Sequence, residues 1–399
     1  MTMLSVEDAR ARILDGVLPV ATEIVSVADA WGRVLAEPVS ARVTQPPADV
    51  SAMDGYAVRT GGLSLRVVGE APAGHPWTGT VGDNEAVRLF TGSVMPDGAD
   101  CVVVQEDTVR SGDAVTLSVD PVAGRHIRRA GSDFRRDDVL ASAGTRLGAR
   151  TIGLIAAANV PWLRVHRKPR VGILSTGDEI SWPGDPIAAG GIVGSNAWAL
   201  AALVRGAGAE PTVLPIAPDD ADALAAALPS ADGFDLMLTS GGASVGDHDL
   251  VRAALLAAGM TLNFWRIAMR PGKPLMAGRF GRMPVLGLPG NPVATVVTAI
   301  LFAKPLIARL AGLADALPAW EPARLSAPLP ANDSRADHLR CRLSRDMDGV
   351  LLATAFEHQA SGLHRVLADA DALLYRAPHA PAAAMGDTVR VLPLDRDGI

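Results

Sequence analysis

The chain has 399 residues, 49% hydrophobic and 20% charged, a balance that excludes a disordered or fibrous polymer and suffices for several buried cores. The formal net charge is −6 with no basic run, which argues against a nucleic-acid partner. Two cysteines far apart in sequence, Cys101 and Cys341, cannot form a disulfide framework or a thiolate cluster, and the eight histidines show no zinc-binding spacing.

In chain order, Met1–Arg12 has no basic segment followed by an apolar one, so no signal peptide is expected. Ser5-Val-Glu-Asp8 resembles a capping box, and Val6, Ala9, Ile13 and Leu14 follow at helical spacing, which predicts a short opening helix. Between residues 46 and 139 the runs Leu65–Val68, Ala86–Phe90, Cys101–Gln105 and Val115–Val119 are separated by Gly, Pro and Asp turns. They predict a small all-β unit. Thr151–Val160 reads as a buried helix that Pro161 ends.

From 170 to about 312 strands and helices alternate. Strands are predicted at Val171–Leu174, Thr212–Ile216, Phe234–Leu238 and Pro284–Leu288. Helices are predicted from Asn196 to Arg205, from Asp219 to Leu228, from Asp247 through Ala258, and onward from Asn291-Pro292. Apolar strands alternating with helices predict a doubly wound parallel α/β sheet. The apolar run Val293–Ala303 is too short to span a bilayer and stops at Lys304-Pro305, so a cytoplasmic protein with no membrane partner is expected. Beyond 317 the runs Ala323–Ala327, His338–Leu343, Val350–Ala355, Ala372–Arg376 and Thr388–Leu392 predict a second β unit.

The densest motif is Thr239-Ser-Gly-Gly-Ala-Ser-Val-Gly-Asp-His-Asp249, between a predicted strand and a predicted helix. In open α/β sheets ligands bind at the carboxyl ends of the strands. Glycines there let backbone N–H groups approach an anion, and Asp247 and Asp249 add carboxylates that suit Mg²⁺. An N-cap alone would explain Asp247 but leaves Ser240, Gly241, Gly242, Ser244 and Asp249 together unexplained. Ser175-Thr-Gly-Asp-Glu179 and Asp219-Asp220 follow two more strands of the same sheet. Each alone reads as a turn or a helix start, and convergence on one rim is what raises them.

Arg270-Pro-Gly-Lys-Pro274 and Gly287-Leu-Pro-Gly-Asn-Pro292 combine cations, prolines and a helix start, the ingredients of an oxyanion site. Lys273 is one of three lysines, against 37 − 3 = 34 arginines. Ser51–Ala57, Thr91–Asp100 and Arg128–Asp133 are ambiguous taken singly: each is a turn or a solvated loop on the blander reading. The seven tryptophans read as core or interface residues.

Ser51–Ala57, Thr91–Asp100, Arg128–Asp133, Ser175–Glu179, Thr239–Asp249, Arg270–Pro274 and Gly287–Val293, in this order, resemble the molybdopterin molybdenumtransferase family. The likeness covers essentially the whole chain. It implies four parts: a helical linking part at 1–45 and 140–168, an inserted β domain at 46–139, a doubly wound α/β domain at 169–316, and a C-terminal β barrel at 317–399. It also implies a homodimer and a molybdopterin adenylyltransferase as upstream partner. The implied reaction inserts molybdate into adenylylated molybdopterin with release of AMP and the help of Mg²⁺.

Residue by residue, the resemblance implies that Asp249, Glu179, Asp219, Asp54 and Thr91 line the active site, with Asp249 and Asp219 holding Mg²⁺. Ser240, Gly241, Gly242, Ser244, Asp247, Arg128, Asp133, Arg266, Arg270, Pro289 and Pro292 would contact the substrate. Lys273, Arg340 and Ser361 would hold molybdate. Three positions depart from the family pattern: Ala243 for a Val, Arg270 for a Lys, and Ala294 for a Ser. A related molybdopterin adenylyltransferase would carry Gly-Gly-Thr-Gly where this chain has Gly241-Gly-Ala-Ser244. A scaffold protein would need no full carboxylate set.

Overall fold

The opening helix forms where its capping box lies. It spans Val6–Leu14, the Ser5 side chain accepts from the Asp8 N–H, and Val6, Ala9 and Ile13 are its buried face. The computed structural model describes residues 3–220, 224, 233–241 and 250–394. Thr22–Ser26 pairs antiparallel with Trp162–His166, and Val39–Ser40 with Val139–Ala141. The second pair is the neck of the inserted unit, which leaves and re-enters the linking part on adjacent strands.

The insert is a six-stranded sheet in the order Cys101–Val104, Gly55–Val58, Glu85–Leu89, Ser64–Ala71, Ala114–Leu117, Thr108–Ser111. Both of its faces are covered. Tyr56 and Val58 pack on one side with Cys101 and Val103, while Ala57 packs on the other with Val87, Leu89 and Val102. This is the period of two expected for strands.

The α/β domain contains β1 (Arg170–Ser175), α1 (Asn196–Gly206), β2 (Glu210–Val213), β3 (Leu236–Ser240), α2 (Leu250–Ala257), β4 (Thr261–Phe264), β5 (Met276–Phe280), β6 (Met283–Leu288) and α3 (Pro292–Thr298). The strand order is β2-β1-β3-β6-β5-β4. Pairs β1–β2, β1–β3 and β3–β6 are parallel, as the alternating pattern predicts. Pairs β6–β5 and β5–β4 are antiparallel, so the sheet is mixed and larger than the sequence reading. Neither β4 nor β5 was anticipated. Strand β5 reads Met-Ala-Gly-Arg-Phe with no β-branched residue, and a side chain at Gly278 would press on the Thr261 carbonyl, so close strand approach replaces the usual signal.

Two clusters cover the sheet. Ile173, Leu236, Leu238 and Leu286 face one, with the opening helix, α1 and α3; Leu174, Met237 and Val285 face the other, with α2. Helix α3 runs through a π-helical turn at Ala299–Ala303 into Lys304–Leu310. Pro292–Leu310 is long and apolar enough to cross a membrane, but it is 83% buried and serves as a core helix.

In the C-terminal domain Ala336–Arg345, Leu351–Ala355, Glu321–Leu325, Thr388–Pro393 and Ala372–Arg376 pair in succession, and the last pairs back to the first. Five strands thus close a barrel. Met269–Arg270, not among the predicted strands, is a sixth strand parallel to Ala336–Asp337 and ties the barrel to the α/β domain. Cys101 and Cys341 are both buried; burial first, then a nearby aspartate, pushes each thiol up to about 12.

His338 is 1% exposed beside Trp320 and Tyr375, and its Nδ1 has no partner. Burial, with the Arg10 charge second, lowers its pKa from 6.5 to about 3. Below pH 6.5 the unfolded chain therefore binds a proton that the folded chain refuses. Stability should fall by about 1.4 kcal/mol per pH unit from this group as pH drops toward the folded value, and not change from it above pH 7. Urea midpoints between pH 7 and pH 5 should show a shallower slope in His338→Leu than in the wild type; equal slopes would remove His338 as the cause.

Candidate active site

Parallel β1, β3 and β6 bring their carboxyl ends to one rim. At the end of β1, Thr176 N–H donates to Ser240 O at 3.1 Å and Gly177 N–H to Ala217 O at 3.2 Å. These bonds bring the motifs after β1, β2 and β3 together, as convergence on one rim requires. As a polar residue at the start of the predicted helix, Asn196 invites reading as its N-cap. Ser195 is the cap instead, and the Asn196 amide donates to Ser240 Oγ at 2.9 Å and to Gly290 O at 2.7 Å. It staples the end of β3 to the loop after β6. Sequence reasoning missed this role, because a polar residue at a helix start is first read as a cap.

Gly241 is in a left-handed conformation (φ 101°), and a Cβ there would overlap the Thr176 carbonyl oxygen. Gly242, Ser244, Asp247 and Asp249 lie outside the described residues, so their places in the site are read from sequence alone. Leu250 opens the described part of α2 one residue after Asp249. Leu224 N–H donates to Asp220 O at 3.0 Å, one turn of the helix predicted there, and the rest of that helix lies outside the described residues.

Three carboxylates gather at the rim. Asp178 and Glu179 are exposed, and the Asp178 carboxylate accepts the Asp219 N–H at 3.0 Å. Lost hydration, followed by the charges of Asp178 and Glu179, raises the Asp219 carboxyl above its ordinary range. Among the described residues no group of three or more His, Cys, Asp or Glu is arranged to hold a metal ion.

The cation-bearing segments lie on other elements. Arg270 clasps Asp337 of the barrel with Nε at 2.6 Å and with Nη2, and reaches Asp333 at 3.2 Å. Its guanidinium is a clamp between domains in this structure, which the substrate-contact expectation did not include. Lys273 is half-buried, and among the described residues its ammonium has no ion-pair partner. The loop closes on itself where Ile267 N–H donates to Lys273 O at 3.0 Å.

Arg340 is 1% exposed, its Nη2 donates to Ala360 O at 3.2 Å, and its Nε has no acceptor. Burial pushes this guanidinium below its ordinary range. Ser361 follows Ala360, and its carbonyl accepts the Val293 N–H of α3 at 3.1 Å. Lys273 leads into β5, Pro292 starts α3, and Ser361 meets that start, so the barrel reaches the same end of the sheet. The helix start has Asn291 as N-cap and Pro292 at its first position, as predicted, but the Asn291 side chain makes no capping bond. One free donor of that start is already taken by Ser361. Thr295 cannot replace the hydroxyl missing at Ala294, since its Oγ1 donates to Pro289 O at 2.5 Å.

The insert joins its three motifs in one cluster. Thr91 donates to the Asp54 carboxylate from its N–H at 2.7 Å and its hydroxyl at 2.8 Å. These two bonds, backbone first, hold the Asp54 carboxyl below its ordinary range. Ile127–Arg128 pairs with Val50–Ser51, Ser51 N–H donates to Ser93 O, and Asp133 N–H donates to Gln45 O. The Arg128 and Asp133 side chains are exposed. Among the described residues no hydrogen bond or ion pair links this cluster to the α/β rim of the same chain.

Residues 4–159 match the MoeA N-terminal region (domain I and II), 172–309 a probable molybdopterin binding domain, and 322–394 the MoeA C-terminal region (domain IV). The chain is 42% identical over 314 residues to a molybdopterin molybdenumtransferase of Nostoc, covering 75% of this chain and 71% of that protein. It is 32% identical over 405 residues to that of Bacillus subtilis, covering 98% of this chain and 94% of that protein. The crystal structure of a molybdopterin biosynthesis MoeA protein from Pyrococcus horikoshii matches with a TM-score of 0.85 at 26% identity, over 98% of this chain and 100% of that one.

Proposed function

Since the chain belongs to the molybdopterin molybdenumtransferase family, we propose that it takes adenylylated molybdopterin and molybdate, inserts the metal into the dithiolene and releases AMP. The observation that carries this reading is the separation of charge. Carboxylates of Asp178, Glu179 and Asp219 stand on the loops after β1 and β2, while Lys273 lies on the loop into β5 and Arg340 on a barrel strand. A carboxylate rim alone would repel both phosphate and molybdate.

The hard oxygen donors at the rim suit Mg²⁺, and the lost hydration and neighbouring like charges that raise the Asp219 carboxyl are both offset by a bound divalent cation. Asp219 and Asp249 would hold it. When bound, Mg²⁺ offsets charge on the AMP phosphate and polarises the phosphoanhydride. The protein's own part is positional: Asn196 ties the end of β3 to the loop after β6, and Gly241 keeps the backbone free of a side chain beside Thr176.

On this reading molybdate is the anion that Lys273, Arg340 and Ser361 receive. The Arg340 Nε without an acceptor supports it, because a buried guanidinium short of one acceptor gains from an anion. With Ala294 in place of Ser, binding should be weaker by about one neutral hydrogen bond, or roughly 1 kcal/mol. Lys273→Ala should raise the molybdate concentration needed for half-maximal cofactor formation, with a smaller effect on hydrolysis of the adenylylated pterin. An unchanged molybdate dependence would move the oxyanion site elsewhere.

The insert cluster of Asp54, Thr91, Arg128 and Asp133 serves a rim on this reading, and among the described residues the rim of its own chain makes no bond with it. A homodimer, with each insert facing its partner's sheet edge, resolves this. Light scattering should give a dimer mass at micromolar concentration, and a monomer alone would count against the arrangement. The substrate would come from a molybdopterin adenylyltransferase, and the setting would be cytoplasmic.

A further inference from the structure

Trp265 belongs to no motif, yet it sits where both halves of the site begin. Strand β4 runs parallel in direction to β3 and β6, because the two antiparallel pairings on either side of β5 cancel. Its carboxyl end, where Trp265 follows Phe264, therefore lies on the same side of the sheet as the rim. The indole is half-buried and packs against the cluster formed by Val251, Ala254 and Leu255 of α2 with Met276 and Val285.

Two guanidinium groups share this one ring. The guanidinium carbon of Arg266 lies 3.7 Å from the ring centroid and that of Arg252 lies 4.4 Å away. A cation over an indole face is attracted by the ring quadrupole, and most strongly where water is excluded. The Arg266 Nε is buried with no hydrogen-bond partner, so the ring is the contact the structure gives it.

The two arginines lead in different directions. Arg252 lies near the start of the described part of α2. Arg266 begins the segment whose Ile267 N–H closes the loop on Lys273 O and whose Ala268 N–H donates to Leu4 O. One indole therefore joins the helix on the carboxylate side to the loop that carries the lysine.

We propose that Trp265 is a positioning residue: through Arg252 and Arg266 it holds the Lys273 loop in register with α2, and so sets where the metal oxyanion docks relative to the phosphoanhydride. This rests on the reaction proposed above. It assigns Trp265 no contact with substrate.

The test compares Trp265→Leu, which keeps an apolar side chain but no π face, with Trp265→Phe, which keeps a smaller one. Amide hydrogen exchange is read on the free full-length protein, and AMP formation is titrated with molybdate. Trp265→Leu should speed exchange at Ile267 and Ala268 by about tenfold and raise the KM for molybdate by about tenfold, with kcat at saturating molybdate within about twofold of the wild type. Trp265→Phe should recover most of both effects. Unchanged exchange at both amides in Trp265→Leu overturns the positioning role whatever the activity. Equal losses in the two variants overturn it in favour of packing volume. If the wild type forms no AMP, the reaction above is wrong, and the exchange comparison still decides whether the ring holds the loop.

Discussion

Asp249→Asn is expected to yield a folded protein that releases AMP at least about a hundredfold more slowly, the scale of losing one charge-stabilising group at a reacting phosphate or acyl centre. Asp249 ends the motif that follows β3, whose last residue Ser240 is bonded to Asn196 and through its carbonyl to Thr176. The reaction proposed above gives this carboxylate to the ligand, while the core of β3 is built by Leu236, Met237 and Leu238. Asparagine keeps the shape and removes the charge. Far-ultraviolet circular dichroism and the urea midpoint should match the wild type, and single-turnover AMP release should not. A folded variant with near-normal release would exclude Asp249 from the chemistry.

The second large effect is on stability. Gly241→Ala should cost about 3 kcal/mol or more, because two penalties coincide: a left-handed backbone for an L residue and overlap of the new methyl with a backbone oxygen. That oxygen is the Thr176 carbonyl, which no side-chain rotation can move aside. Gly281→Ala is the control: its φ of 55° is also left-handed, yet nothing lies within 4 Å of the added carbon. It should cost only the conformational share, about 1–2 kcal/mol. Equilibrium urea unfolding of both variants separates the terms. Equal losses would mean that the loop after β1 shifts to make room.

Much of the fold was legible because its signals are local. Ser5 and Asp8 mark the first helix, Asn291-Pro292 marks the start of α3, and the β-branched and leucine runs mark β1, β3 and β6. Strands β4 and β5 escaped because Gly278 and Arg279 break the pattern, and tertiary pairing decides their state. The site was legible as motifs, not as partnerships. Nothing in Arg270-Pro-Gly-Lys announces that Asp337, 67 residues later, takes the arginine. Asn196 and Trp265 were unreadable for a related reason: each acts by bridging segments that meet only after folding, so a window around either residue holds half of the information.

Both native thiols are shut away from water and held almost wholly protonated at neutral pH. For chemical labelling the protein therefore behaves as though it had no cysteine. A maleimide dye or a spin label placed at an exposed position such as Arg128 would mark that position alone, without any need to strip out Cys101 or Cys341 first. Distances from such a label, within one chain and between two, would then measure where the insert sits relative to the α/β rim.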